Sequence, residues 1–430
     1  MKDYLDRIIS TSRDVIRFPS VEGRSEGGYP FGRAVGECLE YFLDTAASLG
    51  FETYNYDNYI GEVVYGEGED FAILAHLDVV PAGDGWHYPP FDAVMNDDVS
   101  AGGTVGRKIW GRGALDDKTP AVIILYALLA LKEQGIMPSR RFRLILGCNE
   151  ETGWKCIDHY KSVRRMPAEG FTPDADFPAI YAERGIAHIE LEFNIEDAPF
   201  TSLSAGSAIN MVPATARAVL KEQIPTPTAP DLTAEGCELV AHGKSAHGST
   251  PECGVNALGI LLSHLAGERE DLGEIVRLLF LGGTGLEELS DETGRLTLSP
   301  DLAEYSDGVL RISLDIRYPA TYTLDSVKER LDRTGVHYKV IRHTPPLYND
   351  PRGELITTLS GVYSDITGDT AEPIAIGGGT YARALEGGVA FGPELRGMEI
   401  TIHQPDEFIT VEHIELLSDI YYTALERLSK

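Results

Sequence analysis

The sequence predicts an α/β protein: a doubly wound mixed sheet, interrupted by a smaller inserted α+β domain. Three observations carry this. Short apolar runs closed by turn residues alternate with helical patterns up to about residue 185. From Ile186 the strands instead alternate apolar with polar residues, as strands with one solvated face do. Near Pro345 the first pattern returns. The expected division is therefore a first domain of 1–185 and 346–430 enclosing a second of 186–345. At 430 residues, two domains are the natural expectation, and 43% apolar residues suffice for a sizeable core.

The elements follow in order. Tyr4–Arg17 has helical spacing and precedes Pro19; Val21–Tyr29 is a Gly-rich loop; Phe31–Leu49 is a helix stopped by Gly50. Glu52–Tyr59 and Glu62–Tyr65 are short strands leading to FAILAHLDVVP, Phe71–Pro81, whose apolar start suits a fully buried strand. His76 and Asp78 leave its end on one side, by the period-two alternation, at the edge where such sheets bind ligands. Gly83–Asp98 is expected to be irregular. In KIWGRGALDDK, Lys108–Lys118, two glycines allow tight backbone beside Asp116 and Asp117. Thr119 is the expected cap of a buried apolar helix, Ala121–Gln134, with Pro120 at its first position. The strand Arg141–Leu146 runs into Asn149, Glu150 and Glu151, and GFTPDADFP, Gly170–Pro178, holds Asp174 and Asp176.

In the inserted part, Ala187–Phe193, Cys237–Ala241 and Leu310–Tyr318 read as half-exposed strands. Asn256–Leu265 reads as a helix, and Gln223–Asp231, with three prolines, as a loop. A helix Glu354–Tyr363, a strand before Gly377, the Gly377–Gly379 turn and a helix Val411–Leu428 complete the first domain.

Composition excludes several functions. There are 67 acidic against 37 basic residues, a formal charge of −30. This argues against nucleic acid and against an anionic membrane surface. No run approaches a membrane span, the first residues are not a signal peptide, and five scattered cysteines fit reduced thiols, so a cytoplasmic location is expected. What remains is an accumulation at strand ends: His76, Asp78, Asp116, Asp117, Glu150, Glu151, Asp174 and His403. Adjacent carboxylates repel unless a cation is shared. Two imidazoles with several carboxylates suit two divalent ions of the zinc, manganese or cobalt kind. Five ligands of charge −3 against +4 favour a hydroxide as nucleophile.

AHLDVVP, GRGALDDK, NEE at Asn149–Glu151, GFTPDADFP and IHQPDE at Ile402–Glu407 resemble, in order and spacing over nearly the whole chain, the M20 metallopeptidase family and its PepV-like dipeptidases. The resemblance implies that His76 and Asp174 bind one ion, Glu151 and His403 the other, and that Asp116 bridges both. It implies that Asp78 orients His76, Glu150 is the general base and the Asp116–Asp117 bond is cis. The inserted part then corresponds to a ferredoxin-like lid, in which His247 of GKSAHGSTP is implied as oxyanion donor. Asn210, Arg317 and GGGTYAR, with Gly378, Gly379, Tyr381 and Arg383, are implied as substrate contacts. The expected activity is dipeptide hydrolysis. The alternatives are an N-acyl-amino-acid deacylase or desuccinylase of the same family, and a catalytically silent peptide- or metal-binding protein. A monomer is favoured over a homodimer built through the lid.

Overall fold

The structure is a computed structural model and describes residues 1–430 other than 224–226, 228 and 268, so much of the expected proline loop lies outside the described residues. The chain forms two compact units. Unit 1 comprises Met1–Tyr181, Asn349–Ile374 and Thr380–Lys430; unit 2 comprises Ala182–Tyr348 and Ala375–Gly379.

Unit 1 is organised around the strand Glu69–His76, buried from Phe71 onward. It lies parallel to Arg140–Gly147 on one side and Glu169–Thr172 on the other, and Gly387–Ala390 continues the parallel set beyond. An antiparallel hairpin, Glu52–Tyr56 and Ile60–Tyr65, extends the sheet past Arg140–Gly147. The sheet is therefore mixed. In register, His76 pairs with Gly147, so the chain following both strands emerges at one edge.

Helices cover both faces. Leu39 and Leu43 of the helix Arg33–Ser48 close over Gly61, where an added Cβ would stand 2.6 Å from a Leu39 methyl. The next residue, Glu62, points to the opposite face and meets Tyr160 of the helix Lys155–Val163. The helix Lys118–Glu133 is buried without interruption from Lys118 to Leu131 and packs on the central strands and on the final helix, Val411–Leu428. Burial of each large apolar side chain in it stabilises by roughly 1.5–3 kcal/mol.

Two local expectations are corrected. The helix begins at Lys118 with Asp117 at its N-cap, so Thr119 and Pro120 sit inside its first turn rather than at its boundary. Proline is tolerated there because first-turn N–H groups have no helical acceptor. Within Gly83–Asp98, Val94–Asn96 forms a strand paired with Lys108–Trp110, which pairs in turn with Phe408–Thr410. That partner is some 300 residues distant, beyond the reach of local pattern.

Among its described residues, unit 2 has one antiparallel sheet of eight strands. Their order is Leu232–Glu235, Glu238–His242, Thr215–Leu220, Phe200–Ala205, Thr297–Ser306, Val309–Tyr318, Gly185–Asn194 and His337–Thr344. The helices Ala257–Ala266, Glu270–Phe280 and Leu324–Asp332 bury one face, with Leu261, Leu272, Ile275, Leu314 and Val327 in the core. Asn256 caps the first of these through its side chain. Eight strands are twice the four of a single ferredoxin-like unit.

Candidate metal centre

The parallel strands deliver His76, Glu150, Glu151 and Asp174 to a common edge, and Asp116 and His403 join them from the loops of the small antiparallel sheet Val94–Asn96, Lys108–Trp110 and Phe408–Thr410. His76 ends its strand fully buried. Its Nε2 is 2.9 Å from Asp116 Oδ1 and 3.6 Å from Asp174 Oδ2. His403 Nε2 is 2.9 Å from Asp116 Oδ2 and 3.2 Å from Glu151 Oε1. One carboxylate thus faces an imidazole with each oxygen. Two groups result, His76–Asp116–Asp174 and Asp116–Glu151–His403; within each, one potential ligand atom per residue lies within 4.8 Å of the others. The first group is deeper, while His403 is exposed. His403 holds a left-handed backbone, φ 61°, uncommon for a residue with a Cβ. The Asp116–Asp117 peptide is cis.

Asp78 meets His76 most closely through its backbone. The contact of His76 Nδ1 is with the Asp78 carbonyl at 2.9 Å, while the Asp78 carboxylate stands 3.7 Å away. That carboxylate instead accepts the N–H groups of Glu150 and Glu151, at 3.0 and 3.1 Å. It fastens the NEE turn to the end of the central strand. Asp117 accepts the His76 N–H through Oδ2, and its buried Oδ1 has no partner among the described residues.

The electrostatics show an excess of negative charge. Burial, then the charge of Asp116, pushes the Asp174 carboxyl far above the usual range. Burial, opposed by His76 and reinforced by Glu151, raises Glu150 to about 8. The hydrogen bonds to Asp116 and Glu151 raise His403 to about 10. Burial opposes charge on His76, yet the hydrogen bond to Asp116 and the surrounding carboxylates keep its pKa well above that of free imidazole. Two imidazoles cannot neutralise this many buried carboxylates, and cations of charge +2 can. Oxygen donors with one imidazole per group suit divalent metal ions.

Two features escaped the sequence reading. Trp154, held in a left-handed conformation (φ 63°), donates its indole N–H to Glu150 Oε1 at 3.1 Å, leaving the other carboxylate oxygen for a second contact. Glu407, fully buried, lies beneath the backbone that carries Asp116. An aromatic four residues beyond Glu150 carries no pattern that announces such a bond. Tyr381, expected to touch substrate, is fully buried: its hydroxyl is 2.9 Å from Cys156 Sγ, and its ring lies edge-on to His76 and Trp154. Gly147 makes room for it, since a Cβ there would come within 2.1 Å of the hydroxyl. Arg383, half-buried, follows in the same short helix, Tyr381–Ala384.

This arrangement belongs to a protein matching Peptidase family M20/M25/M40 over residues 72–427. The chain is a member of that family. It is 34% identical over 462 aligned positions to the Bacillus subtilis protein named "Putative dipeptidase YtjP", covering 98% of this chain and 97% of that one. Among solved structures, the aminoacylhistidine dipeptidase of Vibrio alginolyticus aligns with TM-score 0.61 at 13% identity, covering 97% of this chain and 96% of that one. YXEP of Bacillus subtilis, described as a dinuclear metal-binding M20 peptidase, aligns with TM-score 0.59 at 14% identity, covering 100% and 99%. At these identities the likeness establishes the fold. The chain is a mixed α/β metallopeptidase and hence a hydrolase. No helix among the described residues is long and apolar enough to cross a membrane.

Unit 2 contains the remaining expected residues and brings several together. The Asn210 carbonyl accepts the Gly248 N–H at 2.7 Å, next to His247. Ser249 donates its N–H to His247 Nδ1 at 3.1 Å, which assigns the ring proton of the neutral imidazole to Nε2. Partial desolvation and the charge of Arg317 hold the His247 pKa down. The Arg317 fork is engaged by Asp315 at 2.8 Å through both Nε and Nη2, and Nη1 donates to the Gly377 carbonyl at 3.0 Å. The guanidinium thereby anchors the glycine turn that carries Gly378 and Gly379.

Proposed function

We propose that this protein is a two-metal dipeptidase acting on short unblocked peptides. The observation that carries the reading is the pair of ligand groups sharing Asp116, with the Glu150 carboxylate beside them. His76 and Asp174 would hold one divalent ion, Glu151 and His403 the other, and Asp116 both. Such ions, zinc or manganese with cobalt as a substitute, supply Lewis-acid polarisation of a carbonyl and acidify water.

Glu150 accepts the proton of the attacking water and returns it to the departing amine. Trp154 holds Oε1, so Oε2 is the oxygen that exchanges the proton. Asp78 keeps Glu150 and Glu151 in register by binding their backbone N–H groups. In unit 2, His247 in its Nε2–H form is suited to donate to an oxyanion, Asn210, Gly378 and Gly379 are assigned to substrate, and Arg317 serves by holding the turn that carries the two glycines. The name of the Bacillus subtilis relative supports the dipeptide as substrate class.

The test is hydrolysis by metal-stripped protein resupplied separately with zinc, manganese and cobalt. Substrates are free dipeptides, N-blocked dipeptides, tripeptides and N-acyl amino acids. Metal-dependent cleavage of free dipeptides, lost in Glu150→Ala, is the expected result. Cleavage of N-acyl amino acids alone would transfer the assignment to a deacylase. Absence of turnover with every metal, despite bound ions, would leave a binding protein.

A further inference from the structure

The two ligand groups come from distant parts of the chain: Asp116 from the turn after Lys108–Trp110, and His403 from the loop before Phe408–Thr410. One buried side chain lies between these segments. Glu407 Oε1 accepts the N–H groups of Gly113 and Leu115 at 3.0 Å each and of Asp116 at 3.4 Å. Its Oε2 accepts Arg112 Nη1 at 2.6 Å, and its own carbonyl accepts the Gly111 N–H at 2.8 Å. The same Arg112 nitrogen donates to the Gln404 carbonyl at 3.3 Å, one residue past His403.

The turn Gly113–Asp116 thus aims three N–H groups, of Gly113, Leu115 and Asp116, at a single carboxylate oxygen, a concave anion seat built from backbone. Gly113, at φ 86°, supplies the left-handed residue this curvature needs. Glu407 is 0% and Arg112 1% exposed, so water does not substitute for any of these contacts.

We propose that Glu407 is a positioning residue that fixes the separation between Asp116 and His403, and so sets the affinity of the ligand group they share. The inference rests on the metal-centre reading above. Its physical basis is that a ligand held rigidly by outer hydrogen bonds forfeits less freedom when an ion binds, and outer partners of this kind typically govern 10–100-fold in affinity. Glu407, four residues after His403, reaches the Asp116 turn with Oε1 and Arg112 at the start of that turn with Oε2, and Arg112 returns to the Gln404 carbonyl. Its side-chain length is therefore the spacer, and its charge is the glue.

Glu407→Asp separates these properties, keeping charge while shortening the spacer by one methylene. The metal-free variant and the wild type are compared by thermal melting, then titrated calorimetrically with zinc. The expected result is a melting temperature within a few degrees of wild type and zinc affinity lowered 10–100-fold. A folded variant that binds zinc as wild type overturns the proposal. Should Glu407→Asp not fold, the same titration is made on Arg112→Lys, which loosens one end of the spacer; unchanged affinity there overturns it equally. Asp116→Asn is the control for the underlying reading. If Asp116→Asn binds zinc normally, the ligand assignment fails, and the role of Glu407 with it. If Asp116→Asn loses zinc but both spacer variants retain it, the assignment stands and only the positioning role fails.

Discussion

His413 should make unit 1 sensitive to acid in a way a single substitution can isolate. Its imidazole is 7% exposed in the first turn of the Val411–Leu428 helix, with Nε2 2.9 Å from the Pro393 carbonyl. Burial pushes its pKa from 6.5 down to about 4, a fall that the Pro393 contact only partly opposes. The helix N-terminus also disfavours a positive charge. In the unfolded chain the ring titrates near its ordinary value. The folded state is the poorer proton binder, so stability is intact above about pH 6.5, declines as pH falls toward 4, and is flat below that. At about 1.36 kcal/mol per pH unit, the whole loss is about 3 kcal/mol, and at pH 5 it has reached about 2 kcal/mol. Trp86, Trp110 and Trp154 all lie in unit 1, so tryptophan fluorescence reports its unfolding selectively. Denaturant unfolding of the metal-free protein at pH 7.5 and pH 5, in wild type and His413→Gln, gives the comparison. Carboxylates of the metal centre titrate alike in both proteins and cancel. Wild type should lose about 2 kcal/mol more than the variant between the two pH values. Equal losses would refute the buried, neutral histidine.

Three further outcomes follow from the geometry. Trp154→Phe keeps an aromatic ring beside Tyr381 but removes the hydrogen bond to a carboxylate, so kcat should fall about tenfold, the KM staying within about twofold; steady-state kinetics with saturated metal checks this, and an unchanged kcat rejects it. Glu150→Ala should retain bound metal, measured by elemental analysis, while turnover drops by roughly 10²–10⁴-fold. Arg143 pairs through Nε and Nη2 with buried Glu62, at 2.7 and 3.1 Å, so Arg143→Met should destabilise unit 1 by about 3 kcal/mol by removing the main counter-charge of that carboxylate and leaving only Arg164, at 3.8 Å, and two tyrosine hydroxyls. Adding Glu62→Leu should recover much of the loss, and an equal loss in the double variant would locate the cost elsewhere.

Much of unit 1 was legible because its signals are local. The apolar run of Phe71–Leu74 and the uniformly apolar helix after Lys118 each bury all around and show it in composition. The final helix, Val411–Leu428, has the limits its periodicity predicts. Helices whose apolar stripe is diluted by charge were not legible: Lys155–Val163 and Leu324–Asp332 carry many polar residues among few buried ones. At the site, residue types and spacing pointed to strand-end carboxylates and imidazoles, and the structure brings His76, Asp116, Glu151, Asp174 and His403 into two compact groups. Roles set by three-dimensional contact could not be read. Nothing in sequence says that the Asp78 carboxylate turns toward the Glu150 and Glu151 amides, that Tyr381 hides beneath His76, or that the Arg317 fork is taken by Asp315.

Asp116 faces His76 with one oxygen and exposed His403 with the other, which has a consequence for how the centre fills and empties. Two events that draw on one carboxylate are thermodynamically linked, and the linkage is reciprocal: whatever the first ion does to the affinity for the second, the second does to the first. The groups also differ in access to solvent. With one ion in each group, as proposed, a chelator meets the His403 end first, so demetallation should proceed in order, with the exposed ion leaving quickly and the buried one slowly. Activity measured during such stripping would then decay in step with the exposed position, and would be lost by the time total metal content reaches half.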